Sequence, residues 1–175
     1  MQKEVLYTGY GWTLAIDESA LPDGRVKRAV VVQRCDSVHI LAFPTPSRIF
    51  LIREFRPRYG SHLWMLPSGR ADKENDHEAA AQRELQEETG FRAEHLTYYC
   101  STRHSESLDC ANHLYVATQL IKDPLPQDSD ELIGVHDVSL DEAIGNVLGS
   151  PVVHTASAYG LLRYAHDLRN GLFHT

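Results

Sequence analysis

Cysteine is scarce, at three residues in 175, and none of the three falls in a CxxC pair. Cys35, Cys100 and Cys110 are odd in number and far apart, which argues against a disulfide framework or a cysteine-built zinc site. Reduced thiols in a cytoplasm are the simplest expectation. The first residues also lack the basic-then-apolar pattern of a secretory signal. Long apolar runs are missing as well. None approaches the ~20 residues that span a bilayer, so no membrane partner is expected. Positive charge is in deficit: 17 Lys and Arg stand against 24 Asp and Glu, a formal net charge of -7. Such a chain repels a nucleic-acid backbone as a whole, and no basic stripe offsets that, so no nucleic-acid partner is expected. A small polyphosphate remains admissible through local positive charge or bound metal.

What is present is ordinary for a folded domain, with 42% hydrophobic and 23% charged residues. The length suits one compact domain, or a main domain with a small appendage. The first third reads as β. Val5 to Ile16 is rich in aromatic and β-branched residues, Pro22-Asp23-Gly24 marks a turn, and Arg25 to Gln33 follows as a strand. This predicts an antiparallel ribbon over residues 1–36, followed by a main domain over 37–175. Ser37 to Phe43 and Arg48 to Phe55 are expected to pair around Pro44-Thr45-Pro46, and Tyr59 to Gly69 reads as loop. A helix is predicted from the N-cap Asp76 to Thr89, stopped by Gly90. Leu96 to Cys100 and Leu114 to Leu120 read as strands flanking the polar stretch Ser101 to Asn112. Ser139-Leu140-Asp141-Glu142 is a capping-box pattern for a short helix ending near Gly149. Ser150-Pro151 is expected to open the last helix and Asn170-Gly171 to close it. The class is mixed α/β.

The chemistry is concentrated between Gly69 and Phe91. Glu84 and Glu88 are four apart on the predicted helix, and Glu84 and Glu87 three apart, so all three point to one side. Like charges so placed oppose helix formation by a few tenths of a kcal/mol per pair. Divalent cations offset that repulsion, and clustered carboxylate oxygens suit Mg²⁺ or Mn²⁺. Arg83 can reach Glu87 one turn on. Ala79, Ala80, Ala81 and Leu85 supply a small apolar face for packing close to a sheet. Three glutamates alone would read as a solvated acidic face. The surrounding spacing changes that reading. Gly69, Arg83, Glu84, Glu87, Glu88 and Gly90 at fixed offsets, with Leu85 and Phe91 apolar, recur by chance on the order of once in a million chains this long.

That pattern resembles the Nudix box, G-x5-E-x7-R-E-U-x-E-E-x-G-U with U apolar, at every fixed position but one. Asn75 stands where the box has its first glutamate, and Glu74 sits one residue early. The resemblance implies a Nudix fold, a mixed sheet sandwiched by helices. It implies Mg²⁺, with Mn²⁺ as the alternative, held by Glu84, Glu87, Glu88 and the backbone carbonyl of Ser68. Glu74 or Asn75 would support the loop. Bound Mg²⁺ would neutralise a pyrophosphate, lower the pKa of a water and hold it in line, and a carboxylate would take the proton.

Further segments resemble the ADP-ribose and nucleotide-sugar pyrophosphatase branch. They are Arg53-Glu54-Phe55-Arg56-Pro57-Arg58-Tyr59-Gly60, Leu63-Trp64-Met65-Leu66-Pro67-Ser68-Gly69, Leu21-Pro22-Asp23-Gly24-Arg25, and Glu131 to His136 before a capped helix. The branch implies a small-molecule nucleoside diphosphate derivative as substrate and a homodimer built through the ribbons. Arg56, and less directly Arg53, would contact phosphate, and Trp64 would line the pocket. The polar stretch would supply the general base, with Glu106 the first candidate, Asp109 the second and His104 a participant. The remaining histidines fall singly and show no metal-ligand spacing. Ala29 and Val30 occupy positions where the branch often carries a Trp-Glu pair reading adenine, and Met65 replaces a frequent glutamate. A nucleotide sugar is therefore as open as ADP-ribose. Competing readings are a Nudix-fold binding or regulatory domain without catalysis, a nucleoside triphosphate pyrophosphohydrolase, and an RNA-end hydrolase, which the charge disfavours.

Overall fold

The computed structural model describes residues 3–73, 76–127 and 132–172. Glu74, Asn75 and Glu131 lie outside them. In chain order the elements are β1 (Lys3–Gly9), β2 (Trp12–Ala20), β3 (Val26–Gln33), β4 (Ser37–Ala42), β5 (Arg48–Arg56), a 3-10 turn (Pro57–Tyr59), β6 (Ser61–Met65), β7 (Ser68–Arg70), α1 (His77–Thr89), β8 (Phe91–Ser105), β9 (Leu108–Lys122), β10 (Ile133–Ser139), α2 (Leu140–Leu148) and α3 (Thr155–Arg169).

The expected ribbon is a three-stranded meander. Val5 to Ile16 breaks at Tyr10-Gly11, where φ is +54° and +76°. Two successive positive φ values make a tight turn of the kind that suits strand twist, so β1 folds back on β2. β2 pairs antiparallel with β3 across the Pro22-Asp23-Gly24 turn.

β4 packs a hydrophobic core on each of its faces. It lies parallel to β9 and antiparallel to β7, in a sheet ordered β1-β2-β3-β9-β4-β7 with β8 paired to β9. The expected β4–β5 pair is not formed. β5 sits in a second, three-stranded sheet ordered β10-β5-β6, and only Thr45 and Arg48 bridge the turn. The reason is burial on both sides. β4 and β5 are each almost continuously apolar, so each packs as an inner strand with partners of its own. The segment expected as loop, Tyr59 to Gly69, carries β6 and β7. The polar stretch from Ser101 to Asn112 is the tip of a long β8–β9 hairpin. Cross-strand pairing of Thr102 with Asn112 and Arg103 with Ala111 accounts for its order.

Side chains alternate across β4, and this builds two cores. Val38, Ile40 and Ala42 pack with Ala80, Ala81 and Leu85 of α1. Leu41 packs with Ile49, Leu51 and Leu66, and with Val147 of α2 and Leu161 of α3. Sheet material therefore lies between α1 on one side and α2 with α3 on the other, the α/β/α arrangement expected. Ser139 and Glu142 form the predicted capping box of α2. The last helix starts later than expected, after His154 rather than at Pro151. Ser150 and Ser157 explain why: their hydroxyls accept the Trp64 and Leu66 amide hydrogens at 3.0 and 2.9 Å, covering the open edge of β6. Among the described residues no helix is long and apolar enough to cross a membrane.

Candidate active site

Asp76 caps α1, accepting the Ala79 amide hydrogen at 2.6 Å, and Gly90 ends it with φ +79°. Both termini fall where the sequence places them. The helix presents Glu84, Glu87 and Glu88 toward the β7 segment. Glu88 is 6% exposed, and its carboxylate accepts the Ser68 amide hydrogen at 2.7 Å. A buried carboxylate needs such a donor, so this bond ties the helix to the strand. Arg83 donates to Glu87, as expected, lies 2.8 Å from Glu84, and also donates to the Arg70 carbonyl at 3.2 Å. Gly69 is needed at the closest approach. A Cβ built there would stand 2.0 Å from the Glu84 carboxylate.

Glu84, Ser68 and Gly69 border a cavity of about 730 Å³. Its walls include Arg34, Arg56, Arg58, Arg70 and Lys73, with Met65, His39, His104, Cys110, Asn112 and His154. Arg56 is held by the buried Glu54 at 2.7 Å. An acidic chain thus collects positive charge at one concavity, which suits a small phosphorylated anion.

Not every expected residue is brought there. Strand alternation places Arg56 on the cavity side of β5 and Arg53 on the other. Arg53 lies over the Trp64 ring at 5.7 Å, and both line a separate depression beside α2. Trp64 packs edge-on against His136, so it is not a wall of this cavity. Glu106 does not line the cavity either. It sits at the hairpin tip, 89% exposed and 3.1 Å from Lys27. Asp109 is engaged by Gln33 and Arg103. The hairpin pairing turns both carboxylates outward, where a loop would have left them free to fold in.

Conversely, the fold gathers histidines that are far apart in sequence. His39, on β4, is 3% exposed and 5.3 Å from the His154 ring, while its Nε2 lies 3.3 Å from Asn112. His39 Nδ1 has no hydrogen-bond partner among the described residues. Burial, reinforced by His154, pushes the His39 pKa down to about 3, and burial together with Arg56 pushes His154 down to about 4. Both are neutral at pH 7. The one signal in the sequence was a histidine inside the apolar run Val38 to Ala42. Cys35, Cys100 and Cys110 are all free, as expected.

Comparison with known proteins agrees with this geometry. The NUDIX domain model matches residues 33–155. The chain is 27% identical over 165 residues to the ADP-ribose pyrophosphatase of Bacillus subtilis, covering 91% of this chain and 88% of that protein. It is 29% identical over 169 residues to the ADP-ribose pyrophosphatase of Mycobacterium tuberculosis, covering 93% and 80%. The crystal structure of an ADP compounds hydrolase superposes with a TM-score of 0.75 at 22% identity, covering 97% of this chain and 94% of that one. This chain belongs to the Nudix family. As a Nudix hydrolase it carries the box on α1 and the preceding β7, and the charged cavity opens directly against the box.

Two outcomes follow. Gly69→Ala should cost little stability, because the flexible Glu84 side chain can swing away, yet it should lower turnover at least ~100-fold by displacing that carboxylate. Paired thermal unfolding and turnover measurements check this. For pH, an unfolded histidine binds a proton below about 6.5 while buried His39 does not until about 3. Stability is therefore lost as pH falls through that window, by about 1.4 kcal/mol per unit for His39. Urea unfolding across that range should give a shallower loss in His39→Gln than in wild type.

Proposed function

We propose that this Nudix hydrolase cuts the P–O–P bond of a nucleoside diphosphate derivative, ADP-ribose or another nucleotide sugar, to a nucleoside monophosphate and a sugar phosphate. The observation that carries the reading is the single cavity in which Glu84 and Ser68 face Arg34, Arg56 and Arg58. Its volume suits one mid-sized ligand rather than a polymer. The likeness to two ADP-ribose pyrophosphatases along most of the chain supports the substrate class.

The donor set fits Mg²⁺ or Mn²⁺. Carboxylate oxygens of Glu84, Glu87 and Glu88 with the Ser68 carbonyl are hard ligands, and Gly69 leaves the space the Glu84 carboxylate fills. Bound there, the cation would neutralise phosphate charge and acidify a water. The protein's own part follows from its residues. Arg56, fixed by Glu54, binds phosphate. Arg83 orients Glu84 and Glu87. Glu84 takes the proton, since it lines the cavity and Glu106 does not. Arg53 and Trp64 drop out of the substrate contacts. His39, His154 and Asn112 supply neutral donors and acceptors, with His104 beside them, and these read the uncharged part of the ligand.

The proposal extends to a homodimer through the ribbon, where Val5, Leu6, Tyr7, Trp12, Val26 and Val30 are exposed and β1 is an open edge. The free thiols fit a cytoplasmic setting. Asn75, at the box's first glutamate, favours one second reading, a domain that binds the same ligand without cutting it.

A panel of ADP-ribose, ADP-, GDP- and UDP-sugars and nucleoside triphosphates, assayed by phosphatase-coupled phosphate release with Mg²⁺ and with Mn²⁺, decides among these. Turnover of one nucleotide sugar is expected. Glu88→Gln should then reduce it at least ~1,000-fold with little change in unfolding. Preference for a triphosphate would refute the substrate class. Ligand-raised melting with the ligand left intact would establish the binding domain. Sedimentation at micromolar protein should give twice the monomer mass, and a monomer would remove the ribbon from the account.

A further inference from the structure

Outside the cavity, a second constellation has the chemistry of a metal site. Asp36 lies in the short β3–β4 connection, His77 is the first residue of α1, and His113 is on β9. One carboxylate oxygen and one ring nitrogen from each histidine lie within 4.8 Å of one another. Asp36 Oδ2 is 2.9 Å from His113 Nε2 and 3.5 Å from His77 Nε2. Ligand atoms around one tetrahedral ion, each at about 2.0–2.1 Å, stand about 3.3 Å apart. The observed separations bracket that value.

The surroundings hold this arrangement. Asp36 Oδ1 accepts the Ala111 amide hydrogen at 2.7 Å, which aims Oδ2 at the histidines. An outer hydrogen bond of this kind orients a metal-binding carboxylate. The two imidazoles stack with centroids 3.9 Å apart and planes 23° apart, so one ring must turn about its Cβ–Cγ bond for both in-plane lone pairs to converge on one ion. Burial works against the Asp36 charge, but the Ala111 amide and His113 outweigh it and hold the pKa below its ordinary value. The carboxylate is therefore ionised at neutral pH. Side-chain exposures of 31%, 39% and 16% for Asp36, His77 and His113 leave a path from solvent.

We propose that Asp36, His77 and His113 form a binding site for a first-row divalent metal of the zinc or nickel type, separate from the box. Two imidazole nitrogens and one carboxylate select such ions over Mg²⁺, which prefers oxygen alone. Three protein ligands leave a position for water or an outside group. The site joins the first residue of α1 to β9 and to the β3–β4 connection. An ion there clamps the start of the helix that carries Glu84, Glu87 and Glu88 in its later turns. The proposal rests on none of the catalytic assignments. Without metal, the same three residues form a hydrogen-bonded cluster, and the experiment separates the two.

The 175-residue chain would be titrated with Zn²⁺ in the presence of excess Mg²⁺, followed by calorimetry and thermal unfolding. Wild type should bind one Zn²⁺ and gain roughly 5–10 °C in Tm at a hundredfold excess over Kd. His77→Gln and His113→Gln should each weaken that binding at least ~10-fold. Glu88→Gln should leave it unchanged. Visible absorption of Co²⁺-loaded wild type needs no variant, and should show tetrahedral bands that Zn²⁺ abolishes and Mg²⁺ does not. No Zn²⁺-induced shift in wild type would overturn the proposal. So would a shift that survives both histidine substitutions, or one that Glu88→Gln removes.

Discussion

The hydrogen bond from the Ser68 amide to the buried Glu88 carboxylate is the constraint around which the site is arranged. A carboxylate this enclosed is costly unless a donor meets it. The donor is backbone, fixed by the pairing of β7 with β4. The helix must therefore sit close to β7, and Gly69 is where the approach is tightest. Ala80, Ala81 and Leu85 allow the closeness by packing onto Val38, Ile40 and Ala42. Arg83 then joins Glu84 and Glu87 into one charged group whose mutual repulsion it offsets. Helix, strand and charge pattern are one solution to a single problem: holding several carboxylates beside a place meant for anions.

Charge distribution explains how an acidic chain can still take a polyanion. The net value of -7 describes the whole surface. The cavity is different, with Arg34, Arg56, Arg58, Arg70 and Lys73 along its walls. Local fields in a concave site govern small-ligand binding, while the net charge governs long-range encounters with polymers. The same chain can thus be acidic overall and still present a cavity suited to a small phosphorylated anion.

Helix α1 was legible in the sequence almost to the residue, because its cap, its stop and its glutamate spacing are local signals. The α/β class and the capping box of α2 were legible for the same reason. Strand pairing was not. The Pro44-Thr45-Pro46 turn suggested a β4–β5 hairpin, but two-sided burial sent the strands to different sheets. That error bears on function, since the face of β5 decides that Arg56 meets the cavity and Arg53 does not. The polar stretch around Glu106 reads as loop in the sequence, whereas cross-strand pairs make it a hairpin tip. In the sequence the histidines stand singly. His39 with His154, and His77 with His113, become pairs only through the fold. Glu74 and Asn75 fall outside the described residues.

On the proposed function, the box glutamates, rather than another acidic group, hold the catalytic cation against the arginine-lined cavity. Crystals grown with Mn²⁺ and a non-hydrolysable nucleoside diphosphate derivative, measured for manganese anomalous scattering, test it directly. A peak is expected within coordination distance of Glu84 and Glu88, with the ligand phosphates between it and Arg56. A peak at Asp36, His77 and His113 alone, or phosphates seated away from the box, would contradict it.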